Sequence, residues 1–171
     1  MNPRIIIAGS RWATYWETRV AVLSCPWFEM AVVSRAGRRG GAPGVQLTIV
    51  SGTASGADTH GESVAVACGW EIKRFPADWR RLGKRAGFAR NTQMAEFAAA
   101  ALPYAGLIAV WDGRIAGTAQ MISEAFRLGL WVHVFDTRSR KPVTMAEQPA
   151  YVAKYGRPSP QPFPKHLILG A

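Results

Sequence analysis

A run of small and hydroxyl-bearing residues at positions 51–58, SGTASGAD, has the composition of an anion-binding turn. It follows an apolar run at 45–50 that predicts a buried strand, and it precedes helical spacing of small residues over 57–68. Glycines let such a turn approach a ligand, and the helix start offers free N–H groups to a negative charge. The turn therefore predicts a phosphate or ribose-phosphate guest held by Ser51, Gly52, Thr53, Ser55, Gly56 and Asp58. The alternative is a tight turn with Ser55 as a helix N-cap.

Three other predicted connections carry glycines, hydroxyls and basic residues. They lie at residues 9–11, 76–91 and 112–118, each after a strand-like run. Ligands of open parallel sheets bind outside the carboxyl ends of the strands, so we expect these connections to meet. The contacts predicted from them are Gly9, Ser10, Arg11, Trp79, Arg90, Asn91, Asp112, Gly113, Gly117 and Thr118.

Several residues of this set could have a structural role instead of contacting a ligand. Arg11 suits bidentate binding of phosphate, or is an exposed residue of a first helical turn. Trp79 could stack on a base or pack in the core. Asp58 and Asp112 would repel a phosphate, so a ligand contact would be to ribose hydroxyls or a metal; otherwise each favours a helix dipole.

The elements that position these loops alternate between strand and helix. Strands are predicted near 4–8, 46–50, 71–75, 105–111 and 130–135, with helices between them, the first from about Trp12. Residues 1–136 are therefore predicted to form an α/β, Rossmann-like three-layer domain with a central, mostly parallel β-sheet. Residues 137–171 are rich in Pro, Lys and Arg and predict a basic C-terminal extension.

Composition narrows the function classes. Lys and Arg number 21 against 11 Asp and Glu, a formal net charge of +10 that favours anionic partners such as nucleotides or nucleic acid. The longest apolar stretch, residues 97–111, contains Pro103 and Gly106, so no membrane segment is expected. Two distant cysteines outside any metal-binding spacing predict a cytoplasmic protein.

Several motifs are missing from the sequence. It lacks the P-loop pattern and a G-x-G-x-x-G after the first strand, which argues against a P-loop NTPase and an ordinary NAD-dependent dehydrogenase. The three histidines are widely spaced, so no metal site is expected. No cofactor is predicted beyond a nucleotide ligand.

The combined motifs resemble the YspA-related branch of the SLOG superfamily, which is named after the DprA and lonely-guy proteins. The resemblance covers roughly residues 4–135 and is carried by SGTASGAD at 51–58, FPADW at 75–79, Gly83 with AGFARNTQM at 86–94, WDG at 111–113 and GT at 117–118. It implies a Rossmann-like domain that binds a nucleotide or nucleotide-derived ligand.

The same resemblance implies candidate chemistry. Lonely-guy enzymes hydrolyse the N-glycosidic bond of nucleoside 5′-monophosphates, and their Arg and Met match Arg90 and Met94. Their catalytic Glu would fall at Met121, and Glu124 lies one helical turn further. Arg90 and Glu124 are therefore the catalytic candidates, with Asp58 and Asp112 as alternatives to Glu124. Nucleotide sensing or sequestration is the leading hypothesis, followed by this hydrolysis and then by DprA-like binding of single-stranded nucleic acid. Assembly into a homo-oligomer stays open.

Overall fold

The computed structural model of the 171-residue chain describes residues 2–26 and 47–143. Strands and helices alternate through these residues, as the sequence predicts. The strands are β1 (Arg4–Gly9), β2 (Thr48–Ser51), β3 (Glu71–Arg74), β4 (Ala105–Trp111), β5 (Trp131–Asp136) and β6 (Lys141–Pro142). The helices are α1 (Tyr15–Leu23), α2 (Ala57–Cys68), the short α3 (Trp79–Leu82), α4 (Ala86–Ala99) and α5 (Ala116–Arg127).

The strands form one sheet in the order β3-β2-β1-β4-β5-β6. The first five are parallel and β6 runs antiparallel to β5. In register, Ile6 of β1 lies between Val50 of β2 and Leu107 of β4. The chain builds outward from β1 to β3 and then returns to the other side of β1. Sheets with this reversal bind ligands in the crevice it creates at the carboxyl edge.

Helices cover both faces of the sheet, because side chains of a strand alternate between faces. Ile6 and Ala8 belong to the core shared with α4 and α5, whereas Ile5 and Ile7 belong to the core shared with α1 and α2. The α/β architecture with a mostly parallel sheet is therefore confirmed, and it is consistent with a Rossmann-like fold.

Local capping fixes the ends of two helices. Helix α1 begins at Tyr15, three residues later than predicted, because Thr14 and Glu17 form a reciprocal capping box. Gly69 ends α2 with a left-handed backbone, as its sequence position predicts. Gly61 allows α2 to pack closely on β1, since a β-carbon there would lie 2.7 Å from the Ile7 side chain.

The inward face of α4 does not include every large apolar side chain of this stretch. Phe88 and Leu102 are exposed, while the buried positions of the helix include Asn91, Met94 and Ala98. The sheet also continues past residue 136, because β6 falls in the predicted C-terminal extension. The basic segment at 35–39 and the extension from residue 144 onward lie outside the described residues. Within 2–26 and 47–143, no helix has the length and apolar character needed to cross a membrane.

Candidate functional site

A cavity of about 390 Å³ opens at the carboxyl edge of the sheet. The end of β1, the loop after β2, the segment after β3 and the start of α5 all contribute to its wall. The strand order therefore brings together connections far apart in the chain. The lining residues are Ala8, Gly9, Arg11, Gly52, Thr53, Ala54, Ser55, Asp58, Ala77, Trp79, Lys84, Gly87, Phe88, Arg90, Asn91, Ile115, Gly117, Thr118 and Met121.

The loop between β2 and α2 is braced by side chains behind the cavity. The Ser51 hydroxyl is fully buried; it donates to Glu62 Oε1 at 2.7 Å and accepts the Thr53 N–H at 3.1 Å. The other Glu62 oxygen pairs with Arg74 at 2.7 Å. Ser51 therefore supports the loop from behind, and the structure does not place it on the cavity wall.

Asp58, the second residue of α2, turns its carboxylate back onto this loop. It accepts the Gly52 N–H at 3.1 Å and also the N–H of Ala54. Arg90 Nη1 lies 3.6 Å away. Burial raises the pKa of Asp58 from 3.8 to about 6, although Arg90 and the two amides act in the opposite direction. The loop amides expected to hold an external anion are thus engaged by a carboxylate of the chain itself.

Arg90 extends from α4 across the loop. Its Nη1 donates to the Gly52 carbonyl, and its Nε–H is buried without a hydrogen-bond partner. Burial lowers the Arg90 pKa, Asp58 opposes that shift, and the charge of Arg11 adds to it. Arginine stays protonated in proteins, so Arg90 remains a cation in the cavity wall although its Nε–H has no hydrogen-bond partner.

Glycines permit these close approaches. A β-carbon at Gly52 would collide with the Arg90 guanidinium, and one at Gly9 would collide with the Val110 carbonyl. Gly56 has φ +80° and packs against the Ser10 carbonyl, where a side chain has no room. The sequence prediction that this turn needs its glycines is explained by these contacts.

The start of α5 forms another part of the wall. Asn91 is buried, and its Nδ2 donates to the Gly117 carbonyl at 2.9 Å and to Gln120 Oε1 at 2.8 Å. Its amide nitrogen therefore ties α4 to α5. The N-cap of α5 is Ile115, which supplies no side-chain acceptor, so no side chain caps the N–H groups of the first turn. A helix start of this kind is suited to an anion.

Aromatic and basic side chains also line the cavity. Trp79 and Phe88 are 53% and 47% exposed. Gly87 lies beneath Trp79, and a β-carbon there would contact the indole ring at 3.4 Å. Lys84 and Arg11 also line the cavity. The wall thus combines three cationic side chains, one carboxylate and two accessible rings.

The structure brings most of the predicted contacts to this cavity. Those on its wall are Gly9, Arg11, Gly52, Thr53, Ser55, Asp58, Trp79, Arg90, Asn91, Gly117 and Thr118. Those not on its wall are Ser10, Ser51, Gly56, Asp112 and Gly113.

The predicted residues away from the wall have contacts of their own. Asp112 accepts from the Ser10 hydroxyl at 3.4 Å and from the Arg114 N–H at 3.0 Å. Glu124, the catalytic candidate implied by the resemblance, pairs with Arg127 at 2.7 Å and does not line the cavity. The other catalytic candidate, Arg90, does.

Sequence reasoning did not select several wall residues. Lys84, Gly87 and Phe88 lie within the predicted connection 76–91, and their nearness to Arg90 in the sequence indicates that they belong to the same wall. Met121 follows Thr118 by three residues on α5, which places it on the same face one turn later. Ala8, Ala54, Ala77 and Ile115 have no chemical signature in the sequence.

Comparison of the chain with models of known protein families, with curated proteins and with solved structures gave no match. The resemblance to the SLOG superfamily therefore stays a prediction that rests on the motifs. Among residues 2–26 and 47–143, no group of three or more His, Cys, Asp or Glu side chains could hold a metal ion.

Asp58 and the buried His133 of β5 should act oppositely on stability in acid. Burial lowers the His133 pKa from 6.5 to about 4, so its contribution is lost as pH falls through that interval. The raised pKa of Asp58 means its contribution is fully present below about pH 3.8 and lost as pH rises to about 6. Each is worth roughly 3 kcal/mol at most.

We expect Asp58→Asn to reveal the pH dependence of stability that is due to His133. Urea unfolding of the wild type between pH 4.5 and 7 should show a shallow dependence, whereas the variant should lose stability steeply on acidification. The difference between the two proteins should change by about 2 kcal/mol over this range. Parallel pH profiles would contradict a raised pKa of Asp58 in the folded protein.

Gly52→Ala should destabilise the protein, because the added methyl collides with the Arg90 guanidinium. We expect a loss of about 1 to 3 kcal/mol, the usual cost of overpacking. Gly117→Ala is the matched control, since its β-carbon would meet no atom within 4 Å. Chemical denaturation of both variants measures the effect, and equal stabilities would show that Gly52 is not sterically required.

Proposed function

We propose that the cavity binds a nucleotide or a nucleotide-derived small molecule, and that the protein senses or sequesters this ligand. The observation that carries the proposal is one cavity with a partly buried Arg90, an uncapped helix start and two accessible aromatic rings. These features lie at the edge of the sheet where nucleotide-binding α/β domains hold their ligands. A volume of about 390 Å³ is within the range for small-molecule sites.

The charge of the wall supports an anionic ligand. Arg11, Lys84 and Arg90 face a single carboxylate, that of Asp58. The first turn of α5 adds unpaired N–H groups and the positive end of a helix dipole. A phosphate would therefore be attracted to the cavity, in agreement with a chain of net charge +10.

The accessible rings support a planar group at the other end of such a ligand. Trp79 and Lys84 lie in the segment between β3 and α4, and Phe88 and Arg90 lie on α4. Base stacking on an aromatic ring is tolerant of base identity and contributes about 1 to 3 kcal/mol. The SLOG resemblance leads to the same ligand class and supports a Rossmann-like nucleotide-binding domain.

We expect at least one nucleotide to bind and Trp79→Ala to weaken that binding about tenfold, through loss of stacking. Isothermal titration calorimetry with AMP, GMP, CMP, UMP, ADP-ribose and cyclic ADP-ribose provides the test. Trp16→Ala is the matched control, because Trp16 is 64% exposed on α1 and does not line this cavity. Absence of binding by every ligand at about 1 mM would refute the proposed function.

One observation favours N-glycosidic hydrolysis as a second candidate function. A general acid works best when its pKa is near the operating pH, and burial raises the pKa of Asp58 to about 6. Asp58 lines the cavity 3.6 Å from Arg90, which could stabilise developing negative charge.

If the protein hydrolyses nucleoside 5′-monophosphates, we expect Asp58→Asn to reduce release of the free base at least about 100-fold. Chromatography of the reaction mixture measures the base. Loss of activity in Glu124→Gln, with activity retained in Asp58→Asn, would instead assign the role to Glu124. No base released by the wild type from any of the four monophosphates would remove this candidate.

A further inference from the structure

Asp58 divides the cavity into two chemically different ends. Its carboxylate already occupies the N–H groups of Gly52 and Ala54, and its own negative charge lies beside them. A phosphate at this end would have to displace the carboxylate or lie against it. Although the loop has the composition of an anion-binding turn, it therefore disfavours an external anion here.

The start of α5 is the end suited to a phosphate. Gly117 and Thr118 line the cavity, and the N-cap residue Ile115 supplies no side-chain acceptor. Consecutive residues of α4 connect the two ends: Arg90 contacts Gly52, while Asn91 donates to Gly117. One helix, α4, therefore contacts both ends of the cavity.

The carboxylate retains capacity for a ligand. Two carboxylate oxygens offer about four acceptor positions, and the two loop amides use two of them. Arg90 Nη1, at 3.6 Å, is beyond ordinary hydrogen-bond distance. A ligand group bound at this end must therefore be a hydrogen-bond donor, as a sugar hydroxyl is.

We propose that Asp58 is a specificity-determining residue that accepts hydrogen bonds from the vicinal hydroxyls of ribose. A ligand bound in this way has its phosphate at the start of α5 and its sugar diol at the loop. The cavity then selects ribonucleotides over 2′-deoxyribonucleotides. This inference rests on the proposed nucleotide-binding function and specifies its substrate class and orientation.

A ligand without one of these hydroxyls leaves the buried Asp58 carboxylate without a hydrogen-bond donor. Losing a hydrogen bond to a charged group weakens binding more than losing one between neutral groups. We therefore expect ribose 5-phosphate to bind about 10- to 100-fold more tightly than 2-deoxyribose 5-phosphate. AMP with dAMP and CMP with dCMP provide matched pairs that include a base. Calorimetric titration of the full chain at pH 7.5 measures each affinity.

In Asp58→Asn the ratio of ribose to deoxyribose affinity should fall to about threefold or less. The ratio is the diagnostic quantity, because a purely structural role would weaken both members of a pair equally. Glu96→Gln is the matched control: it removes an exposed negative charge from α4, at a position that does not line the cavity. We expect its ratio to equal that of the wild type.

Different results overturn different statements. Equal binding of both members of every pair by the wild type would refute selection by ribose while leaving nucleotide binding intact. A ratio unchanged in Asp58→Asn would refute the role of Asp58. Absence of binding by all these ligands would refute the proposed function and this inference with it. Should Asp58→Asn not fold, Asp58→Glu keeps the charge, displaces the carboxylate by one methylene and should likewise reduce the ratio.

Discussion

The contact between the Asp58 carboxylate and the loop after β2 is the interaction on which the site depends. It joins the start of α2 to the amides of Gly52 and Ala54 and places a negative charge 3.6 Å from Arg90. Breaking one member of such a buried group leaves the others with unsatisfied polar atoms, which is far more costly than any surface ion pair. The loop, α2 and α4 therefore behave as one unit, and the shape of the cavity follows from it.

The sheet determines where this unit lies. Strands β1, β2 and β4 are adjacent and parallel, so their carboxyl ends deliver residues 9–11, 52–55 and 115–118 to one edge. Close packing of α2 on β1 at Gly61 and the hydrogen bonds of Asn91 to α5 then set the position of two helix starts.

Sequence patterns were sufficient for the order of strands and helices and for most of the cavity wall, because periodicity and glycine-rich turns are local signals. These patterns did not predict the hydrogen-bond partner of a polar side chain that could contact either a ligand or another part of the chain. Ser51 was predicted to contact a ligand, but it bonds to Glu62, eleven residues later, and Asp112 bonds to Ser10 across the sheet edge.

The contact between Gly52 and Arg90 has a consequence for the evolution of the chain. The guanidinium occupies the space that any side chain at position 52 would need, so each residue constrains the other. A substitution at position 52 becomes less costly once the long side chain at 90 has been lost, although the Asp58 carboxylate would still lie 2.7 Å from a β-carbon there. Descendants of this sequence are expected to retain the pair or to exchange both members together.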